Sequence, residues 1–504
     1  MREITGMNLS GWKNACAVFL FCAAATVASS AQTFTTLVNF NGTTGVGMSA
    51  PIQAFDGNYY GTTRGGGANC PQGVTCGSIY RLSPGKMTMI YTFCQTGCSD
   101  GQIPWALVQG ADGNLYGETS GGGADGGGTF FRMTLWGKLT TISSFCAPSV
   151  CGYNTNPSLS LQGPDGSFYG VAGNGGAYGY GAITKMSLSG KVSILHSFNL
   201  NDGAGPAGGL IQGADGNLYG TTSDGGNFNC VYWYVNPWGG CGTIFELTPQ
   251  GSFNTLYSFC PLSCADGAVP AGNLAEDAGG NLYGTTDFGG YHYPESSCDP
   301  VGCGTVFKLT SQRQLTPLYT FCTQAGGLCP DGFWPAGDLT LGSDGNLYGS
   351  AYDGGLGTNI NCGLGCGTLF SVTPAGAFSA LHDFNVTDGA YPYMPTQATN
   401  GLFLGQSSWG GTVYDGTLFS LSMNLPPFVE TKPAYGKVGT RVVIMGDNLN
   451  GSTAVTFGGT PATFLVAANS AIVATVPTGA TSGSVTVTTP TGTLTSNVAF
   501  IVRP

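Results

Sequence analysis

The residues of this chain best suited to chemistry are aromatic. The segment from Cys230 to Cys241 reads CVYWYVNPWGGC and sets Tyr232, Trp233, Tyr234 and Trp238 between two cysteines. Trp105, Phe333, Trp334, Tyr391 and Tyr393 lie beside prolines in equivalent connections elsewhere. Rigid aromatic faces with polar edges suit sugar rings or the surface of a partner protein. The competing reading is that these loops fold over and bury their own rings as small satellite clusters.

Acidic residues come second. Asp100, Asp202, Asp266, Asp331 and Asp388 each open a D-G-x-x-P motif. A ring of carboxylates could hold calcium. Recurrence in separate units instead favours an Asx turn that orders each connection, because one ion needs converging ligands. Glu118, Glu276 and Asp277 depart from the pattern of their repeats, and a separated carboxylate pair could hydrolyse glycosides, but no spacing marks such a pair. Three histidines remain. His196 and His382 stand where other copies have Tyr257 and Tyr319 and read as structural, whereas His292, in the loop YHYPE with Glu295, is a candidate ligand contact. The chain has no nucleophile elbow, phosphate loop or zinc motif, so no catalytic residue, metal or cofactor is assigned and enzymatic activity is not the leading expectation.

Of 18 cysteines, Cys16 and Cys22 fall in an apolar N-terminal stretch. The rest form eight close pairs: Cys70/Cys76, Cys94/Cys98, Cys146/Cys151, Cys230/Cys241, Cys260/Cys264, Cys298/Cys303, Cys322/Cys329 and Cys362/Cys366. Two per loop reads as local disulfides made in an oxidising compartment, although bridges between neighbouring loops stay open. Each short closure contributes roughly 2 kcal/mol by chain entropy. Zinc is the weaker alternative, since C-x-x-C spacing is absent and no histidine accompanies the pairs.

The elements that position these residues are seven copies of one unit. The fourth is PAGGLIQGADGNLYGTTSDGG, a long loop, then CGTIFELTPQGSFNTLYSF. It predicts four strands, a over 209–214, b over 217–222, c over 242–247 and d over 252–259. The a–b turn is Asp-Gly at Asp56, Asp112, Asp165, Asp215 and Asp344, Gly279-Gly280 in the fifth copy and Asn400-Gly401 in the seventh. These dipeptides predict type I′ hairpins with positive φ at both central residues. Four-stranded units of this length predict propeller blades. The seventh copy lacks strand d, and TFTTLVNF at residues 33–40 matches the d strand SFNTLYSF. The fold expected is therefore all-β, a seven-bladed β-propeller closed by the N-terminal strand. Every cysteine pair then lies in a b–c loop or a d–a connection, on one face, where binding is expected.

The chain is 504 residues long with 86 glycines, 8% charged residues and a formal net charge of −11. Aromatic content of 12% supplies a core, unlike a disordered chain. No basic cluster is present, which argues against nucleic acid and anionic membrane as partners. Residues 1–31 read as a signal peptide with basic Arg2 and Lys13, an apolar stretch too short to span a bilayer, and small residues before Gln32. The expected protein is a secreted, extracellular or periplasmic monomer with no membrane insertion after cleavage. Beyond Pro427 cysteine disappears and Thr and Val alternate, as in a small all-β domain of about seven strands.

The run DGNLYGTT-x-GG…CGT(I/V)F(E/K)LT…LYSF resembles the GloVer tandem repeat of exported bacterial choice-of-anchor proteins over residues 33–425. The resemblance implies export and a repeat fold and carries no established activity. Members often end in an anchoring tail, which is not visible here. Residues 428–502, with GKVGTRVVIMGDNL, STAVTFGGTPATF and ATVPTGATSGSVTVTTPTG, resemble an IPT/TIG domain, an immunoglobulin-like β-sandwich that more often serves as spacer or adhesion unit than catalyst. The expected organisation is 1–31 signal peptide, 32–425 propeller and 426–504 IPT/TIG domain. The expected function is binding or adhesion at the cell surface, to polysaccharide or a surface protein, through Tyr232, Trp233, Tyr234, Trp238, Trp105, Trp334, Tyr391 and His292. The alternatives are a glycan-active hydrolase or lyase, and a structural surface protein.

Overall fold

A computed structural model describes residues 32–503 apart from 48–49, 68–69, 71–74, 96, 147–157, 229–237, 262, 291–297, 299–300, 324–328, 336 and 358–361. No α-helix occurs among the described residues, and none is long and apolar enough to cross a membrane. Seven sheets follow one another, each with its strands in the order a-b-c-d and antiparallel. In repeat 2 they are Gln102–Gln109, Leu115–Gly121, Gly126–Met133 and Leu139–Cys146. In repeat 4, strand a begins earlier than expected and is split into Ala204–Pro206 and Ile211–Gln212. The last sheet takes a, b and c from Ala390–Gln397, Phe403–Trp409 and Thr417–Ser422. Its fourth strand is the N-terminal Thr33–Asn39, with Thr33 opposite Ser422 and Asn39 opposite Thr417.

The turns correct the type I′ expectation. Gly57, Gly113, Gly216 and Gly345 have φ between 82° and 93°, whereas the aspartates before them are not at positive φ. Each is a three-residue loop, as where Gly113 N–H bonds Gly110 O and Gly110 N–H bonds Asn114 O. This is a type I turn closed by a left-handed residue. The carboxylate decides it. Asp112 Oδ1 accepts from the Asn114 amide at 3.1 Å, and its Oδ2 accepts from Asn114 Nδ2 at 2.7 Å and the Tyr116 hydroxyl at 2.9 Å. The same contacts recur at Asp56, Asp215 and Asp344. In the Tyr-Gly pair of strand b, glycine leaves space for the cross-strand ring. Gly220 faces Phe245, Gly284 faces Phe307 and Gly349 faces Phe370, all three rings fully buried.

Strand b of one repeat packs on strand a of the next, as Tyr59–Arg64 on Gln102–Gln109, Leu218–Asp224 on Ala268–Glu276 and Leu347–Ala351 on Ala390–Gln397. Phe403–Trp409 of repeat 7 packs on Val46–Gly47 of repeat 1. At the end where the cysteines lie, the residue before the D-G-x-x-P proline donates its amide to the preceding repeat. Ile103 bonds Cys76 O, Gly205 bonds Tyr180 O, Val269 bonds Cys241 O, Trp334 bonds Cys303 O and Tyr391 bonds Cys366 O, at 2.8–3.0 Å. All five donors have φ between 53° and 58°. The proline then rests on the glycine after that carbonyl, Pro270 on Gly242 and Pro335 on Gly304. At the opposite end a side chain of the next repeat accepts from the preceding a–b turn at five seams. Gln109 takes the Phe55 amide, Gln162 that of Ala111, Glu276 that of Ala214, Gln397 that of Ser343 and Gln53 that of Thr399, at 2.8–2.9 Å. Gln212 meets Pro164, which has no amide hydrogen, and its Oε1 is unpartnered.

Residues beyond 427 form two four-stranded sheets and a two-stranded parallel pair, Tyr435–Lys437 with Ile501–Arg503, around their own core of Val442, Ile444, Val455, Phe457, Ile472 and Val485. This part touches the turn end of the repeats. Phe428 N–H bonds Thr399 O, Ser470 Oγ donates to Phe55 O at 2.8 Å, and Arg503 lies against Gly216 and over the Tyr435 ring.

A Cβ at Gly242, which has φ +87°, would meet Thr222 O and Pro270, whereas one at Gly251, with φ +89°, would meet nothing within 4 Å. Gly242→Ala is expected to destabilise by about 2–4 kcal/mol, adding steric overlap to backbone strain. Gly251→Ala, with strain alone, should cost about 1 kcal/mol. Denaturant melts of the oxidised proteins compare them, and equal losses would disprove the seat.

Candidate functional site

The D-G-x-x-P aspartates are bound within their own connections. Asp266 Oδ2 accepts from the Tyr257 hydroxyl at 2.7 Å and the Cys260 amide at 3.1 Å. Asp331 does the same with Tyr319 and Cys322 at 2.8 and 2.9 Å. In repeats 3 and 6 the connection carries asparagine instead of cysteine. Asn199 donates its amide and side chain to Asp202, and His196 Nε2 donates to the same carboxylate at 3.1 Å. Asn385, His382 and Asp388 repeat this set. The two imidazoles stack at 3.7 Å on Phe253 and Phe34. These are Asx turns tied to strand d, each carboxylate accepting from its own connection, with Asp331 Oδ1 left enclosed and unpartnered.

Disulfides join Cys70 to Cys76, Cys94 to Cys98, Cys260 to Cys264, Cys298 to Cys303, Cys322 to Cys329 and Cys362 to Cys366. Cys241 is also disulfide-bonded. Cys230, Cys151 and the side chain of Cys146 lie outside the described residues. The sulfurs of Cys298, Cys303, Cys322 and Cys329 lie within 4.8 Å of one another, so a b–c loop and a d–a connection are stapled side by side. Oxidised in pairs, these sulfurs are not thiolates for zinc.

Of the aromatic candidates, Tyr232, Trp233, Tyr234 and His292 lie outside the described residues. Trp334 and Tyr391 are brought into one row by residues the sequence reading did not single out. Trp334 packs edge-on against Phe288 at 6.0 Å, and its carbonyl accepts the Tyr352 amide at 2.9 Å. Tyr352 stacks on Tyr391 at 4.7 Å and 17°. Tyr391 continues to Trp409 at 6.1 Å, and Trp409 to Tyr414 at 5.3 Å. Tyr414 is 51% exposed, and Trp334, Tyr352, Tyr391 and Trp409 are half-buried. The Trp334 indole Nε1 is enclosed without a partner. Asp353, whose carboxyl burial raises to about 6, sits in the row; after burial itself, it is the cause that raises the Tyr391 hydroxyl. The signal for the missed rings is positional: Phe288, Tyr352 and Trp409 all fall just after strand b's Y-G-x-x or its counterpart.

Trp238 and Trp105 stand apart from this row. Trp238 packs edge-on against Tyr180 at 6.1 Å, and its backbone amide eases the buried Asp224 carboxyl, which burial nevertheless raises to about 6. Trp105 is 46% exposed. It lines a cavity of about 360 Å³ together with Glu118, Ser120, Ser158, Pro206 and Gly208. Glu118 is 3% exposed and neither carboxyl oxygen has a hydrogen-bond partner. Burial raises it from 4.5 to about 8; the Leu159 amide and Ser158 hydroxyl lie near enough to oppose the shift without bonding geometry. Asp287 is half-buried as a residue, yet its Oδ1 is enclosed and unpartnered, and burial alone raises it to about 7. None of Glu118, Asp224, Asp287 and Asp353 owes its shift to another carboxylate.

The folded protein keeps the Glu118 proton up to about 8 while the unfolded chain releases it near 4.5. Its contribution to stability is therefore full below the lower value and is lost as pH rises through the interval. Glu118→Gln should match the native protein in acid and exceed it increasingly toward pH 8, by on the order of several kcal/mol at the upper end. Melting temperatures across that range test this, and parallel profiles would contradict it.

No curated protein matches the sequence. Among solved structures, a fungal alcohol oxidase in complex with copper shares 12% identity over 94% of this chain and 99% of its own, at a TM-score of 0.48. The PQQ-bound aldose sugar dehydrogenase of Streptomyces coelicolor shares 16% over 65% and 96%, at 0.38. A gluconolactonase from Xanthomonas campestris shares 12% over 64% and 89%, at 0.35. At these scores the likenesses carry no information on ligand or chemistry. The Gloeobacter/Verrucomicrobia repeat model matches residues 24–234, 71–294, 156–419 and 239–488. Those overlapping spans take in most of the sequence, and the chain belongs to the Gloeobacter/Verrucomicrobia repeat family.

Proposed function

We propose that the chain is an exported or cell-surface binding protein, a closed seven-bladed propeller followed by an IPT/TIG sandwich, that takes carbohydrate on its cysteine-bearing face. Closure is supported by the pairing of Thr33–Asn39 with repeat 7, by the packing of repeat 7 on repeat 1 and by the Thr399-to-Gln53 bond. Export is supported by the disulfides and by the apolar leader of the sequence. The C-terminal sandwich touches the turn end of the repeats, which leaves the loop end free for a ligand.

The observation that carries the carbohydrate reading is the row Trp334–Tyr352–Tyr391–Trp409–Tyr414, partly exposed and interrupted by one carboxyl, Asp353. Ring faces stack on the apolar faces of sugars, while tyrosine hydroxyls and a carboxyl bond their edges. A glycan hydrolase or lyase needs two acids flanking one bond; Glu276, raised by burial and then by Asp215 and Asp277, is held at the turn end by the Ala214 amide, away from the aromatic row.

Retention of the secreted, oxidised protein on a panel of plant and microbial polysaccharides tests this reading. Selective retention is expected, with Tyr391→Ala or Trp409→Ala weakening it roughly tenfold or more at an unchanged fold. Retention by no polysaccharide would refute the carbohydrate reading and turn the search to protein partners.

A further inference from the structure

The position of Glu118 in strand b has a structural job in other repeats. Thr285 donates its hydroxyl to Gly337 O at 3.1 Å, and Ser350 to Pro392 O at 3.2 Å, each tying its sheet to the next. The remaining repeats have Thr62, Val171, Thr221 and Gln406 there, none of them acidic. Glu118 makes no such tie; it lines the cavity with both oxygens unpartnered. Among the described residues, no lysine, arginine or histidine and no other titratable side chain lines that space. An enclosed carboxyl without a partner is costly, and a cation is what would satisfy it.

We propose that the cavity between repeats 2, 3 and 4 binds a small ligand bearing a primary ammonium group, held by Glu118 and Trp105. A divalent metal needs several more oxygen ligands, and among the described residues no group of three metal-ligating side chains includes Glu118. An ammonium needs only a few acceptors and gains from an aromatic face. The carboxyl of Glu118, the hydroxyls of Ser120 and Ser158 and the exposed indole of Trp105 offer both. The volume of about 360 Å³ admits an amino sugar or a short alkylamine. This site uses none of the residues of the aromatic row.

Calorimetric titration of the oxidised full chain with butylammonium and glucosamine, against butanol and N-acetylglucosamine, tests the assignment. Both amines are expected to bind and both neutral counterparts to fail. In buffers of different ionisation enthalpy, butylammonium should displace close to about one proton near neutral pH, because Glu118 gives up its own on pairing. Glu118→Gln should weaken amine binding by roughly tenfold or more, and Trp105→Ala, at an exposed position, by several-fold. Preference for one amine over the other would identify the ligand as sugar or alkyl. Equal binding of the neutral compounds, no binding of either amine, or full affinity in both variants would overturn the proposal.

Discussion

The seam between repeats depends on one contact, a proline set on a glycine. The residue before that proline must turn left-handed to send its amide into the preceding repeat, and that conformation is costly for Ile103, Val269, Trp334 and Tyr391. It persists because the amide bonds a carbonyl of the preceding repeat. The display of aromatic rings follows from the seam. Trp334 and Tyr391 occupy the left-handed position itself, and Tyr352 reaches them by bonding the Trp334 carbonyl. Trp334 and Tyr391 thus belong both to the mechanical joint and to the candidate binding surface.

Cohesion elsewhere comes from neutral groups. With only 8% charged residues, the interior is joined by hydroxyl pairs such as Thr222–Thr243 and Thr286–Thr305, both at 2.9 Å. The threonine of strand c also donates to the backbone of the D-G-x-x-P aspartate, as Thr243 does to Asp202 O at 3.1 Å. No lysine, arginine or histidine acts on four of the enclosed carboxyls, and burial outweighs what hydrogen bonds they have. Glu118, Asp224, Asp287 and Asp353 all move the same way for this reason.

Much of this was legible in the residues. Repeated Tyr-Gly strands, Asp-Gly turns and the stray strand at residues 33–40 led to four-stranded sheets and to a partner at the far end of the chain, where Thr417–Ser422 receives it. The turn type is not legible in the residues because a dipeptide does not reveal what a carboxylate will accept; Asp112 holds Asn114 and Tyr116 and stays right-handed. The aromatic row was half visible. Trp334 and Tyr391 drew notice beside prolines, but Tyr352 and Trp409 sit at strand ends, where only three-dimensional register joins them to the others. Glu118 is a visible departure from its repeat, whereas the enclosure that leaves its oxygens without a hydrogen bond is a property of packing.

The shared last sheet has a consequence for how the molecule comes into being. Thr33–Asn39 is synthesised before any repeat, and its partner Thr417–Ser422 follows all the others. Contacts this remote in sequence form late and slow the final step of folding. Until then an intermediate with six complete sheets carries an open edge on its three-stranded seventh and a loose strand that fits it. A loose strand and an open edge on the same molecule also fit those of a neighbour. Two such molecules carry complementary pieces, so an exchange of first strands between neighbours would pair the same residues, Thr33 with Ser422 and Asn39 with Thr417, as the single chain does.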